Sequence, residues 1–143
     1  MKRMAVSFAL LAVLAVITGC NSSSTSPRVT DPPNGPTVLT VHDGNNGQTI
    51  VIHTGEQLRV VLSSTYWTFQ RPTNEMVLSP HGETQVIPEL SHCVPGGGCG
   101  TVVQMYDALA VGSTTVTASR TSCGEAMGCT SATSRFRVFT IVR

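Results

Sequence analysis

Five cysteines are the side chains of this 143-residue chain best able to do covalent chemistry, and four of them repeat one spacing. Cys93 and Cys99 bracket Val94-Pro95-Gly96-Gly97-Gly98, and Cys123 and Cys129 bracket Gly124-Glu125-Ala126-Met127-Gly128. Glycine inside so short an interval lets the chain turn back without strain. Four cysteines allow three pairings, and the spacing selects the two local ones, Cys93–Cys99 and Cys123–Cys129. Oxidised, each pair staples a loop and stabilises the fold by roughly 2 kcal/mol, modest because the closed loops are small. A zinc site of four thiolates with His92 beside them is the competing chemistry, but paired zinc cysteines prefer two to four intervening residues. No metal is therefore expected, and oxidised cysteines supply no nucleophile. The remaining candidates are His42, His53, His81 and His92. None stands in an H-E-x-x-H or G-x-S-x-G pattern, and Gly96-Gly97-Gly98 has no helix after it to make a phosphate loop. The reading is of a non-enzyme with no catalytic residue and no cofactor.

Whether the thiols are oxidised depends on the N-terminus. Lys2 and Arg3 precede a short apolar run from Ala5 to Ile17. Such a run is too short for a mature membrane span and fits the core of a signal peptide. It ends in Ile17-Thr18-Gly19-Cys20, an aliphatic residue, two small ones and a cysteine, which resembles the lipobox of bacterial lipoproteins. That resemblance implies cleavage before Cys20 and acylation of its thiol and new amine. The chain is then exported, lipid-anchored to the cell envelope and facing an oxidising compartment. Residues 1–19 are the signal peptide, and residues 20–36, rich in Ser, Thr and Pro, are a lipidated tether. Residues 37–143 are the folded domain. Without Lys2 and Arg3, seven arginines face eight carboxylates, a net charge of −1. That balance excludes the basic patch a nucleic-acid partner requires.

The elements that must position the stapled loops are strands. Val116 and Ala118 before the second cysteine pair, and Phe136, Val138, Thr140 and Val142 after it, alternate with polar or outward residues. This is the period of a half-buried strand. The same signal predicts strands over 37–43, 48–53, 56–63 and 100–108, with short strands at 75–79 and 84–87 in a proline-broken middle third. Residues 64–70 either continue the third strand or bend away. No stretch of the folded domain carries a helical period. Seven or eight short strands with turn residues between them give an all-β, immunoglobulin-like sandwich. Tyr106 is either a buried ring whose hydroxyl caps backbone at a strand corner or a plain core tyrosine. Of Tyr66, Trp67 and Phe69, either Trp67 and Phe69 fill the core, or one aromatic is presented in a loop as a binding anchor.

From Gly47 onward the chain resembles the chagasin-type inhibitors of papain-like cysteine proteases. Gly47 to Glu56 is similar to their opening strands around a glycine-glutamate turn. Gly96-Gly97-Gly98 stands where that family has a glycine-rich inhibitory loop, Ala118-Ser119-Arg120 where a strand runs into an arginine-bearing loop, and Phe136 to Val142 at the last strand. Leu62 to Trp67 replaces the family's Asn-Pro-Thr-Thr-Gly loop, and Arg120-Thr121-Ser122 replaces its Arg-Pro-Trp. The resemblance implies an immunoglobulin-like fold with three loops clustered at one end. The loop candidates for binding are Tyr66, Trp67, Gly96, Gly97, Gly98, Arg120, Glu125 and Met127.

Two functions fit. The first is a non-catalytic binding module on the envelope, its ligand unknown, with a protease or an envelope protein among the partners it could take. The alternative is a reversible inhibitor of papain-type proteases acting through the three loops. The membrane, through the lipid, is the other expected partner.

Overall fold

The computed structural model describes residues 35–124 and 128–143. Cys20, Glu125, Met127, the signal peptide and most of the tether lie outside that range. Eight strands form: β1 (Val38–His42), β2 (Thr49–Ile52), β3 (Gln57–Ser63), β4 (Thr68–Phe69), β5 (Leu78–Pro88), β6 (Gly100–Ala108), β7 (Gly112–Ser119) and β8 (Arg135–Val142). They make two four-stranded sheets, ordered β1-β3-β6-β5 and β2-β8-β7-β4. The expected all-β, immunoglobulin-like sandwich is the fold observed, with both local disulfides formed.

The core lies between the sheets. Leu58, Val60 and Leu62 of β3 and Val102 and Tyr106 of β6 face Val116, Ala118, Phe136, Val138 and Val142 of β7 and β8. These are the residues on the apolar phase of each alternation, so a slip of one residue would turn that whole set to water. Removing such side chains from water supplies the main driving force for the fold.

Three local features depart from what the sequence suggests. The turn at Asp43–Asn45 does not close a hairpin. It passes the chain from one sheet to the other, so β1 pairs in parallel with β3 and β2 in parallel with β8. Residues 64–70 do bend away: Ser64 takes a positive φ of 105°, and β4 joins the second sheet beside β7. The two short strands expected at 75–79 and 84–87 are one strand, β5, with its register shifted between His81 and Gln85. Pro80 does not end it, and Pro88 is its last residue. β5 is an edge strand, where a missing N–H costs no ladder bond.

Tyr106 is a core tyrosine. Its ring lies edge-on to Phe69, centroids 6.5 Å apart, and its buried hydroxyl has no hydrogen-bond partner among the described residues. Burial alone pushes the phenol's pKa up. A buried hydroxyl without a partner carries its full desolvation cost, about 1–3 kcal/mol. Tyr106→Phe is therefore expected to stabilise the protein by about 1 kcal/mol. Thermal unfolding checks this, and a lowered midpoint would mean the hydroxyl is bonded in solution.

On the outer face of the first sheet, Asp107 ties strands together. It accepts a hydrogen bond from Gln57 Nε2 at 2.8 Å and lies 2.8 Å from His81 Nδ1. Burial tends to raise its pKa, but the bonds from Gln57 and His81 outweigh it and hold the carboxyl below its ordinary value. The histidine nearest a carboxylate thus serves as a cross-strand link, far from the stapled loops.

Candidate functional site

Three loops leave the same end of the sandwich. The β3–β4 loop follows Ser63, the β5–β6 loop joins Pro88 to Gly100, and the β7–β8 loop joins Ser119 to Arg135; these strand ends are in register within each sheet. Sequence separation between the loops is large, so only the paired strands bring them together.

The β5–β6 loop is fixed from within. Glu89 N–H donates to Cys99 O at 3.2 Å, Gly97 N–H donates to Val94 O at 2.9 Å, and the Cys93–Cys99 disulfide spans Cα atoms 5.8 Å apart. Ser91 donates through its hydroxyl and its backbone N–H to the Glu89 carboxylate, which lowers that group's pKa. The loop offers apolar side chains to solvent: Leu90 is 81% exposed and Val94 56%. Neither was a sequence candidate. The signal was available in their position beside a stapled glycine run, but an exposed leucine alone is an ordinary surface feature.

Tyr66 joins this loop to the β3–β4 loop. Its hydroxyl donates to Gly96 O at 2.7 Å, and Thr65 N–H donates to Gly98 O at 2.9 Å. Gly98, at φ +63°, lies so close on the Tyr66 ring that a Cβ there would fall 2.3 Å from Cε2. Only glycine fits both the backbone conformation and the gap.

Trp67, the next residue, follows the turn at Thr65–Tyr66 and enters the core, while Tyr66 stays outside it. It is 6% exposed, a member of the core, and its Nε1–H donates to Ser63 O at 3.0 Å. Of the two sequence readings for the aromatics, the core one describes Trp67 and Phe69, with Tyr66 half-buried outside them. What Trp67 offers the surface is Arg120, whose guanidinium carbon sits 4.4 Å over the indole ring. Arg120 also donates from Nε to Thr133 O at 2.9 Å, inside the β7–β8 loop. A cation over an indole contributes about 0.5–1 kcal/mol at such a half-exposed position.

The β7–β8 loop is not clamped at its neck by the disulfide. Its neck is the backbone pair at Ser119 and Arg135, with Arg120 N–H donating to Ser134 O at 3.0 Å. Cys123–Cys129 closes a smaller loop further out, and a separate turn at Thr130–Ser134 leads into β8. The four sulfurs are thus taken up in pairs, which leaves no thiolates for the competing zinc chemistry.

Removing the first staple tests what it contributes. Cys93→Ser with Cys99→Ser is expected to lower stability by roughly 2 kcal/mol, read as a shift of the urea midpoint. A shift near zero would mean that the backbone bonds from Glu89 and Gly97 hold the loop by themselves.

Of the sequence candidates, Tyr66, Trp67, Gly96, Gly98 and Arg120 meet one another, and Gly97 lies inside the stapled loop, where a Cβ would come within 3.2 Å of both cysteine sulfurs. The result is a continuous support: the β5–β6 loop rests on Tyr66, and the β7–β8 loop rests through Arg120 on Trp67.

No protein-family model and no curated protein matches the chain. Solved structures do share its fold. Amebosin, known from a solution structure, aligns with a TM-score of 0.52 at 17% identity, over 76% of this chain and 100% of amebosin. The cysteine protease inhibitor EhICP2 from Entamoeba histolytica, known from a crystal structure, aligns with a TM-score of 0.52 at 12% identity, over 75% of this chain and 96% of EhICP2. At these identities the likeness is one of fold. The fold expected from the chagasin-type resemblance is the fold the chain has.

Proposed function

We propose that this chain is a reversible inhibitor of papain-like cysteine proteases. One observation carries the reading: three loops distant in sequence are tied into one edge by consecutive residues, Tyr66 holding the β5–β6 loop and Trp67 the β7–β8 loop through Arg120. The fold shared with a cysteine protease inhibitor supports it. The alternation of roles follows from chemistry. Gly96 to Gly98 presents backbone with no side chains to obstruct entry into a narrow cleft. The Cys93–Cys99 staple and the Tyr66 bond keep that backbone in a turn, so it cannot extend across the cleft as a substrate does. Leu90 and Val94 flank it as apolar contacts. Because the β5–β6 loop is tied to Tyr66 and closed by its disulfide before contact, little of its conformational entropy is lost on binding. Inhibition by this route is blockage, with no covalent step.

The first sequence reading, a binding module of unspecified ligand, is the more general form of the same proposal. Lipidation at Cys20 is a second part of it. The lipid would hold the inhibitor at the outer side of the membrane, with residues 21–36 as a spacer. The motivation is the Ile17-Thr18-Gly19-Cys20 pattern. Metabolic labelling with a palmitate analogue tests it: label should follow the wild-type chain and vanish in Cys20→Ser.

The inhibition test is titration of the oxidised protein against several papain-like proteases. Tight, reversible, active-site-directed inhibition supports the reading. Absence of inhibition at micromolar concentration, with the sandwich shown to be folded by circular dichroism, removes it and leaves the loop edge as a surface for another envelope protein.

A further inference from the structure

Beside the β7–β8 loop, the outer face of the second sheet holds a recess of about 640 Å³ between β7, β8 and the turn before β8. Gln70, Thr117, Ser119 and Ser131 make it polar, and Arg135 and Arg137 are its only charged lining residues. The two arginines sit two apart on β8 and so point to the same face. Arg137 lies flat on Phe139, its guanidinium carbon 5.1 Å from the ring centre, which positions the group without neutralising it. Neither arginine, nor Arg120 nearby, forms an ion pair among the described residues. Asp43 borders a smaller adjoining recess with Arg120 and Arg135, but its Oδ2 accepts Ser63 N–H at 2.9 Å. On the far side of the loop edge, β5 and the β5–β6 loop carry Glu83 and Glu89 instead. The second sheet thus brings two positive charges beside the loop edge, whereas the first sheet and its loop mix Glu83 and Glu89 with Arg59 of β3, within a chain whose overall charge is near zero.

Resting on the inhibitor reading above, we infer that the Arg135–Arg137 recess is an accessory contact that selects proteases carrying acidic side chains on the rim of the active-site cleft. Arginines whose N–H edges carry no carboxylate partner among the described residues can donate paired hydrogen bonds to carboxylates of a partner. Placed beside the loop edge, they would touch the rim as the loops enter the cleft. Exposed charges at the margin of an interface act chiefly on association, by steering, and their effect falls with salt.

The test uses the full oxidised chain and two papain-like proteases, one with an acidic rim and one with a neutral rim. Association and dissociation rates are measured from progress curves at low and at elevated salt. Arg135→Gln with Arg137→Gln removes the recess charge. Arg59→Gln with Arg143→Gln removes the same net charge elsewhere: Arg59 lies on the other sheet, and Arg143 is roughly 26 Å along β8 from Arg135 at the usual rise per residue. The recess variant is expected to associate about tenfold more slowly with the acidic-rim protease at low salt. Its dissociation rate should change less than twofold, its salt dependence should flatten, and the neutral-rim protease should not distinguish it from wild type. Equal slowing by both double variants would reduce the effect to net charge and overturn the inference. So would unchanged rates in the recess variant while a loop variant such as Gly98→Val abolishes inhibition, an outcome that leaves the inhibitor reading standing. If no protease is inhibited by wild type, both fall together.

Discussion

Gly98→Val is expected to weaken the proposed protease inhibition by a factor of about 100 or more while the sandwich stays folded. Valine at this position meets two independent obstacles. The backbone φ of +63° is one that β-branched side chains avoid, and the new Cβ would stand 2.3 Å and 2.5 Å from two carbons of the Tyr66 ring. The ring is half-buried and can swing toward solvent, whereas the stapled backbone cannot retreat, so the ring moves. Its hydroxyl then leaves Gly96 O, and the β5–β6 loop loses its link to the β3–β4 loop. The strain is of order 1–3 kcal/mol, and none of the displaced groups belongs to the central core. The loss should appear mainly in binding, by a factor of about 100 or more, which corresponds to about 2.7 kcal/mol. Gly97→Ala should be milder, since its backbone needs no positive φ and its nearest contact, Val94 O, is at 3.0 Å. Parallel inhibition and thermal-unfolding assays on both variants check the claim. Full inhibition by Gly98→Val would show that the Tyr66 contact does not shape the inhibitory edge.

The second large effect is on stability. Trp67→Ala removes an indole that is 6% exposed, breaks its bond to Ser63 O and takes away the platform under Arg120. Truncating a large aromatic in a core costs about 3–5 kcal/mol, and a small domain has about 5–15 kcal/mol in total. The melting midpoint should fall by about 12 °C or more at about 4–8 °C per kcal/mol. Arg120→Ala, by contrast, should cost about 1 kcal/mol or less while still weakening inhibition. The two variants thus separate a supporting residue from a contact residue, although both would score as loss of inhibition in a simple activity assay. Calorimetry decides between them. A Trp67→Ala midpoint within a few degrees of wild type would mean that the ring is a surface contact in solution.

Much of this was legible in the chain itself. Alternation located the strands of the two hydrophobic faces because the side-chain period of a strand is fixed at two, whatever it packs against. The C-x5-C spacing selected the disulfides because a short glycine-bearing interval brings two sulfurs together with no help from the rest of the fold. The loops at Tyr66–Trp67, Gly96–Gly98 and Arg120 stood out as candidates through their positions along the resemblance. What the local signals concealed had tertiary causes. Pro80 reads as a breaker, yet it sits within β5, because only sheet order reveals an edge strand. The turn residues at Asp43–Asn45 say nothing of which strands pair, and the partners of β1 and β2 are β3 and β8. Tyr66 and Trp67 are adjacent letters with opposite duties, one clasping a loop and one filling the core, and nothing in their spacing assigns which. That Arg135 and Arg137 have no carboxylate partner among the described residues depends on where the other strands carry their acidic side chains. The sequence by itself determined periodicity, covalent staples and composition, all of them properties of short range. The tertiary structure decided sheet membership, burial and the meeting of the three loops, because each depends on contacts between residues dozens of positions apart.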